Sequence, residues 1–134
     1  MSFLNDPSMA VLEQGLGLSL RRQLVINSNV ANIDTPGFTP SDIDFDAELQ
    51  KAIGAGRGPR RTHHDHLNAD GARRSEVSTF ERPDGPAGAD GNSVDLDVQM
   101  ARMSQNAVLY QASTRAVSKK IALLKYAVTQ GSEA

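Results

Sequence analysis

The stretch VDLDVQMARMSQNAVLYQASTRAVSKKIALLKYAVTQ, residues 94–130, carries the most regular pattern in this chain of 134 residues. Within it Leu96, Met100, Met103, Ala107, Tyr110, Thr114, Val117, Ile121, Leu124 and Val128 follow one another at alternating steps of four and three. All but Thr114 are apolar or aromatic. A period of 3.5 residues is that of a left-handed coiled-coil seam, where a and d side chains meet a partner helix. Asn92 or Ser93 is placed to cap the start. Asp95 and Asp97 fall in the first turns, and Lys119, Lys120 and Lys125 fall toward the end, as the helix dipole favours. Gly131 supplies a stop. The pattern predicts one helix over residues 94–131. At 1.5 Å per residue it is roughly 55 Å long, too long to be buried along its length by the rest of so short a chain.

The same helix carries a second stripe. Ala101, Val108, Leu109, Ala116, Ala122 and Leu123 occupy b and c positions, away from the seam. Two stripes point to contacts on two sides, with Val108, Leu109 and Leu123 the costliest to leave in water. Three of the six are Ala, which ordinary helix backs also carry.

Residues 1–35 read as a second helical unit, with the helix running from 7 to about 34. Asp6 is a good N-cap, and Pro7 at the first helical position loses no hydrogen bond. Met9, Leu12, Leu16, Ile26, Val30 and Ile33 follow a three-four spacing, with Ser19 and Gln23 as polar members of the series. Leu20 and Leu24 widen the apolar face. Gly15 and Gly17 weaken the helix by about 1 kcal/mol each relative to Ala. Pro36 drives the preceding residue out of the α region, and Gly37 readily supplies a turn.

The middle, residues 36–93, is rich in Gly, Pro, Asp and Arg and poor in large apolar groups. A short helix is expected near 44–53, with Phe45, Leu49 and Ile53 on one face, and a short strand or hairpin around Val77 and Phe80. GAGRGP (54–59) and RPDGPAGADGN (82–92) read as loops. The middle is too poor in apolar residues to form a domain of its own.

Composition narrows the function. The chain has 14 Lys+Arg against 16 Asp+Glu, a net charge of -2. That balance argues against nucleic-acid binding through bulk charge. Cysteine is absent, which excludes disulfide frameworks, Cys-ligated zinc, iron–sulfur clusters and thiol catalysis. No run approaches the ~18 apolar residues of a membrane span. The opening MSFLNDPSMA lacks a basic region followed by an apolar one. The expectation is a protein that stays in the cytoplasm or leaves by a route needing no cleaved signal. Only 4% of the residues are aromatic, with no Trp, which suggests helix stacked on helix with partners supplying burial.

Motifs for chemistry fail on spacing. His63, His64, Asp65 and His66 invite a metal reading, but adjacent loop residues do not converge in a fixed geometry, and no other His completes a set. GLGLSL (15–20) has two glycines inside a helical pattern, without the third glycine or a preceding strand of a nucleotide loop. Arg57, Arg60, Arg61, Arg73 and Arg74 lie among acids, with almost no aromatic neighbours for stacking on bases. No hydrolase elbow surrounds any Ser. Neither enzyme activity, nor a cofactor, nor a small-molecule substrate is expected.

The segment NVANIDTPGF, residues 29–38, resembles a motif of the bacterial flagellar basal-body rod and hook family. Members carry Ala-Asn-x-x-Thr-Pro/Thr-Gly-Phe/Tyr just after a first helix, matched here by Ala31, Asn32, Thr35, Pro36, Gly37 and Phe38. DIDF (42–45), DGNSVDLD (90–97), LLKYAV (123–128) and the short length are similar to the proximal-rod members. The resemblance spans both ends of the chain in order. One departure stands out: members commonly have Lys after the aromatic residue, whereas this chain has Thr39, followed by Pro40.

The resemblance implies a mainly α fold. The two long terminal helices would pair as an antiparallel, coiled-coil-like hairpin forming one helical domain, with an irregular or small β-containing middle. The three-four spacing then assigns packing to Leu12, Leu16, Ile26 and Val30 of the first helix. In the last helix, Leu96, Met100, Met103, Tyr110, Val117, Ile121, Leu124 and Val128 would take part, with Val108, Leu109 and Leu123 as the second stripe. The resemblance further implies a structural subunit of the rod drive shaft, exported without a cleaved signal to the periplasmic rod. Its neighbours would be copies of itself, other rod proteins, the membrane-embedded ring and the export gate. In the motif turn, Asn32 and Asp34 can bond nearby backbone, Pro36 and Gly37 fix the turn, and Phe38 anchors it. The heptads taken alone also fit a cytoplasmic helical adaptor or export chaperone that sheathes partner helices.

Overall fold

A computed structural model describes residues 7–55 and 77–130. Five elements follow in order: α1 (Pro7–Ala31), β1 (Ser41–Ile43), α2 (Phe45–Ala55), β2 (Thr79–Glu81) and α3 (Leu96–Gln130). The protein is mainly helical, with long terminal helices packed on each other and a small sheet in the middle. The expected cap Asp6, the His63–His66 cluster, the arginines between 57 and 74, and the stop at Gly131 lie outside the described residues.

α1 starts at Pro7, as the sequence predicts. It ends at Ala31, earlier than the expected 34, because the ladder tightens there. Asn32 N–H is shared between Ser28 O (3.2 Å) and Asn29 O (3.1 Å), and Ile33 N–H turns to Val30 O (3.3 Å). The Asn32 side chain also donates to Ser28 O at 2.8 Å, reinforcing the long bond that this carbonyl receives from the Asn32 backbone.

α3 starts at Leu96, and its cap is Asp95, not Asn92 or Ser93. Asp95 Oδ1 accepts from Asp97 N (2.8 Å) and Val98 N (3.3 Å), while its carbonyl accepts from Gln99 N at 2.9 Å. Asn92 is spent elsewhere, as described below. α2 is capped by Asp44, whose Oδ1 accepts from Ala47 N at 3.0 Å. Its apolar face of Phe45, Leu49 and Ile53 is half-buried.

α1 and α3 run antiparallel, a direction fixed by three pairs along their length. Lys120 Nζ donates to Ser8 Oγ, Asn106 Nδ2 donates to Ser19 O (2.9 Å), and Asn29 Nδ2 donates to Gln99 Oε1 (3.2 Å). α1 turns its predicted face inward: Ile26 is fully buried, Ser19 is buried, and Leu12, Leu16, Gln23 and Val30 are half-buried.

α3 turns a different line inward from the one its heptads suggest. Gln99 and Asn106 are fully buried, and Ser113 and Lys120 continue them at spacing seven as half-buried residues. Met103, Val117 and Leu124 lie at the edge of the two lines and are half-buried. Leu96, Met100, Tyr110, Ile121 and Val128 are exposed. The seam within the chain is therefore largely polar. Asn106 Nδ2 reaches both Ser19 O and Gln23 Oε1 (3.0 Å), so its amide sets the register that a purely apolar seam would leave loose.

β1 and β2 pair antiparallel, with Asp42 opposite Phe80 and Ile43 opposite Thr79. The strand near Phe80 matches expectation, whereas β1 has no signal in the hydrophobic pattern. A two-stranded ribbon is marginal by itself. Here Asn29 holds it, because its Oδ1 accepts from Ser41 N (3.0 Å) and its Nδ2 donates to Ser41 O (2.7 Å). One side-chain amide thus takes the place of a neighbouring strand.

Candidate functional site

The two sequence motifs meet in space. Asn92, from DGNSVDLD, directs its Nδ2 at the turn that follows α1, lying 3.0 Å from Asn32 O and 2.8 Å from both Ile33 O and Thr35 O. Gly37 N donates to Asp90 O (2.9 Å), and Ser93 N donates to Phe38 O (3.1 Å). Gly37 and Gly91 both lie in the left-handed region, with φ of 72° and 79°. A Cβ on Gly91 would stand 3.4 Å from Gly37 Cα, so the two backbones approach closely through their glycines.

Within the first motif, Thr35 Oγ1 donates to Asn32 Oδ1 at 3.1 Å. Phe38 is half-buried, while Ala31, Asp34, Thr35, Pro36 and Gly37 are exposed. Thr39, at the departure from the family pattern, is half-buried, and the next residue, Pro40, is fully buried, with its carbonyl accepting from Arg82 N at 2.8 Å.

Behind this junction lies a buried charged group that the hydrophobic pattern hides. Arg22 donates to Asp42 through Nε and Nη2, each at 2.8 Å. Asp42 Oδ1 also accepts from Ile43 N (2.8 Å), and Arg82 Nη1 reaches Oδ2 at 2.9 Å. Burial alone would raise the Asp42 pKa, but the Arg22 guanidinium, the Ile43 N–H and Arg82 together outweigh it and hold the carboxyl below its ordinary range. The same hydrogen bonds to Asp42 raise Arg22 further, against the cost of burial.

A second tie joins the 82–92 loop to α3. Asp84 Oδ2 accepts from Gln99 Nε2 (2.7 Å) and Asp95 N (3.0 Å), and Oδ1 pairs with Arg102 at 2.8 Å. Glu48 ties α2 to the approach to β2. Lys51 (2.6 Å) and Ser78 (2.7 Å) both donate to its Oε1 and hold its carboxyl below the ordinary value.

Arg22, Asn29, Asp42, Asp84, Gln99, Arg102 and Asn106 are the organising residues that hydrophobic periodicity passes over. One signal was available: Gln99, Asn106, Ser113 and Lys120 recur at spacing seven on α3. These groups neutralise one another, and among the described residues no cluster of His, Asp and Glu has the arrangement of a metal site. Among the same residues, no helix is long and apolar enough to cross a membrane.

What faces outward is apolar. Val108, Leu109 and Leu123 of the second stripe are exposed, Leu123 at 69%. Together with Leu96, Met100, Tyr110, Ile121 and Val128 they give α3 more uncovered apolar surface than a lone helix pair tolerates easily. Leu20 and Leu24 do the same on α1.

A helical hairpin zipped by amides, with its turn motifs bound together and its apolar faces outward, is the build of a structural subunit. Residues 9–39, which cover α1 and the first motif, match the family described as Flagella basal body rod protein. The chain is 32% identical to the flagellar basal body rod protein FlgB of Proteus mirabilis strain HI4320, over 89% of this chain and 91% of that one. It is 34% identical to FlgB of Escherichia coli K12, over 87% and 88% of the two chains. It is 33% identical to FlgB of Cereibacter sphaeroides, over 90% and 92%. The chain belongs to the flagellar basal body rod protein family, as a structural subunit of that class.

Proposed function

We propose that the chain is a subunit of the proximal rod, the tubular shaft that transmits torque, and that it assembles through the outer faces of α1 and α3. The supporting observation is the division of α3 between two lines. Its polar line of Gln99, Asn106 and Ser113 is used against α1, while its heptad residues Leu96, Met100, Tyr110, Ile121 and Val128 stay uncovered. A 3.5-residue apolar repeat facing outward calls for another helix as its partner. Repeated head to tail, such a heterologous contact builds a helical tube.

In this reading the neighbours are copies of the chain and other rod proteins, with the membrane-embedded ring and the export gate at the base. The protein acts without nucleic acid, cofactor or substrate. It reaches the periplasmic rod through the flagellar export apparatus. The test is immunodetection in purified basal bodies beside a cytosolic fraction. Enrichment at several copies per particle is the expected result. Confinement to the cytosol of motile cells would overturn the reading in favour of a helical adaptor or export chaperone. Because the chain lacks Cys, single Cys probes at Val108 and Val117 can then map the faces in contact.

A further inference from the structure

Loop 88–95 makes contacts out of proportion to its length. Its Asn92 amide, with two hydrogens, serves three carbonyls that follow α1, from residues 57 to 60 positions earlier in the chain. Asn92 is itself held on both sides: its Oδ1 accepts from Val94 N (2.7 Å), and its N–H donates to Asp90 Oδ1 (3.1 Å). The local side chains at the end of α1 are already committed, with Asn32 turned back to Ser28 O and Thr35 turned to Asn32. Carbonyls of a turn that leaves a helix need such partners once they are taken out of water.

We infer that loop 88–95 is a latch that holds the turn after α1 from across the molecule. The closed end of the hairpin is set by docking of Asn92 and the Gly37–Gly91 contact, not by the α1–α3 seam alone. When the latch lifts, Gly37 and Ser93 lose their backbone acceptors together, since Gly37 N bonds Asp90 O and Ser93 N bonds Phe38 O. The seam farther along, held by Ile26 and Asn106, has no share in those bonds.

Hydrogen exchange on the full chain tests the latch, using wild type, Asn92→Ala and Gly91→Ala. The expected result is faster exchange at the Gly37 and Ser93 amides in both variants, on the order of tenfold, with α3 amides around Asn106 unchanged. Gly91→Ala acts on the loop without touching the Asn92 side chain, so it decides the matter if Asn92→Ala fails to fold. Unchanged protection at Gly37 and Ser93 would overturn the latch. So would a uniform rise along both helices, which would report global destabilisation. The measurement uses folded protein, so its outcome is independent of export and of incorporation into the rod.

Discussion

The Arg22 guanidinium grips the Asp42 carboxylate through two hydrogen bonds of 2.8 Å, and this grip fastens the two-stranded arm to α1. Asp42 is at the centre of β1, and Arg22 lies on the helix face that packs inward. The fork geometry of arginine matches a carboxylate with two parallel bonds, which a lysine cannot reproduce.

Removing one partner of a buried pair leaves the other charge without compensation. Arg22→Met is expected to destabilise the chain by about 3–5 kcal/mol in chemical denaturation. Arg82 is half-exposed and holds Asp42 by one bond, so it does not replace Arg22. Loss of under about 1 kcal/mol would show that the arm is not anchored by this pair.

The same pair predicts an acid response. Asp42 titrates below its ordinary value in the folded chain, so the unfolded chain takes up the proton first as pH falls. The stability it contributes is complete above the unfolded pKa of about 3.9 and is lost as pH drops through the lower folded value. Melting temperatures between pH 7 and pH 2 are expected to fall at the acid end. Asp42→Asn is expected to flatten that fall, and an unchanged profile in the variant would remove Asp42 as its source.

Two substitutions separate burial from register in the α1–α3 seam. Ile26→Ala empties a fully buried site and is expected to cost about 2–5 kcal/mol. Asn106 Oδ1 is buried and finds no donor among the described residues, so the site carries a polar cost. Asn106→Leu is therefore expected to stay within about 1.5 kcal/mol of wild type while loosening register. Denaturation curves give the first quantity, and cross-linking of engineered Cys pairs along the seam gives the second.

Ile121 is 51% exposed on the outward line of α3, whereas Val117 is half-buried against α1. Ile121→Asp is expected to leave the circular dichroism of the purified chain unchanged and to abolish incorporation into basal bodies. Val117→Asp is expected to damage both, because it also reaches the intrachain seam. Full motility with Ile121→Asp would exclude the outward line as an assembly face.

Periodicity made the long helices legible. α1 and α3 fall within a few residues of their expected bounds because amphipathic repeats of 25 and 35 residues outweigh local noise. The short helix near 44–53 was legible for the same reason, and Pro36 and Gly37 announced the turn after α1. The inward face of α1 was also in the pattern, since its apolar spacing carries Ser19 and Gln23 on the same line.

Other features required contacts between residues far apart in the chain. Nothing local in DGNSVDLD says that Asn92 holds a turn some sixty residues earlier instead of starting its own helix, a task left to Asp95. Nothing in α3 alone says that its amide line, with only Met103, Val117 and Leu124 of its apolar heptad at the edge, turns toward α1. A hydrophobic repeat states that a face seeks burial, but it does not state against which partner. The sequence by itself determined the helices, their order and the punctuation between them, because those follow from local sterics and periodic burial. Only the tertiary structure decided which faces meet, because that choice rests on hydrogen bonds between polar groups that each satisfy the other.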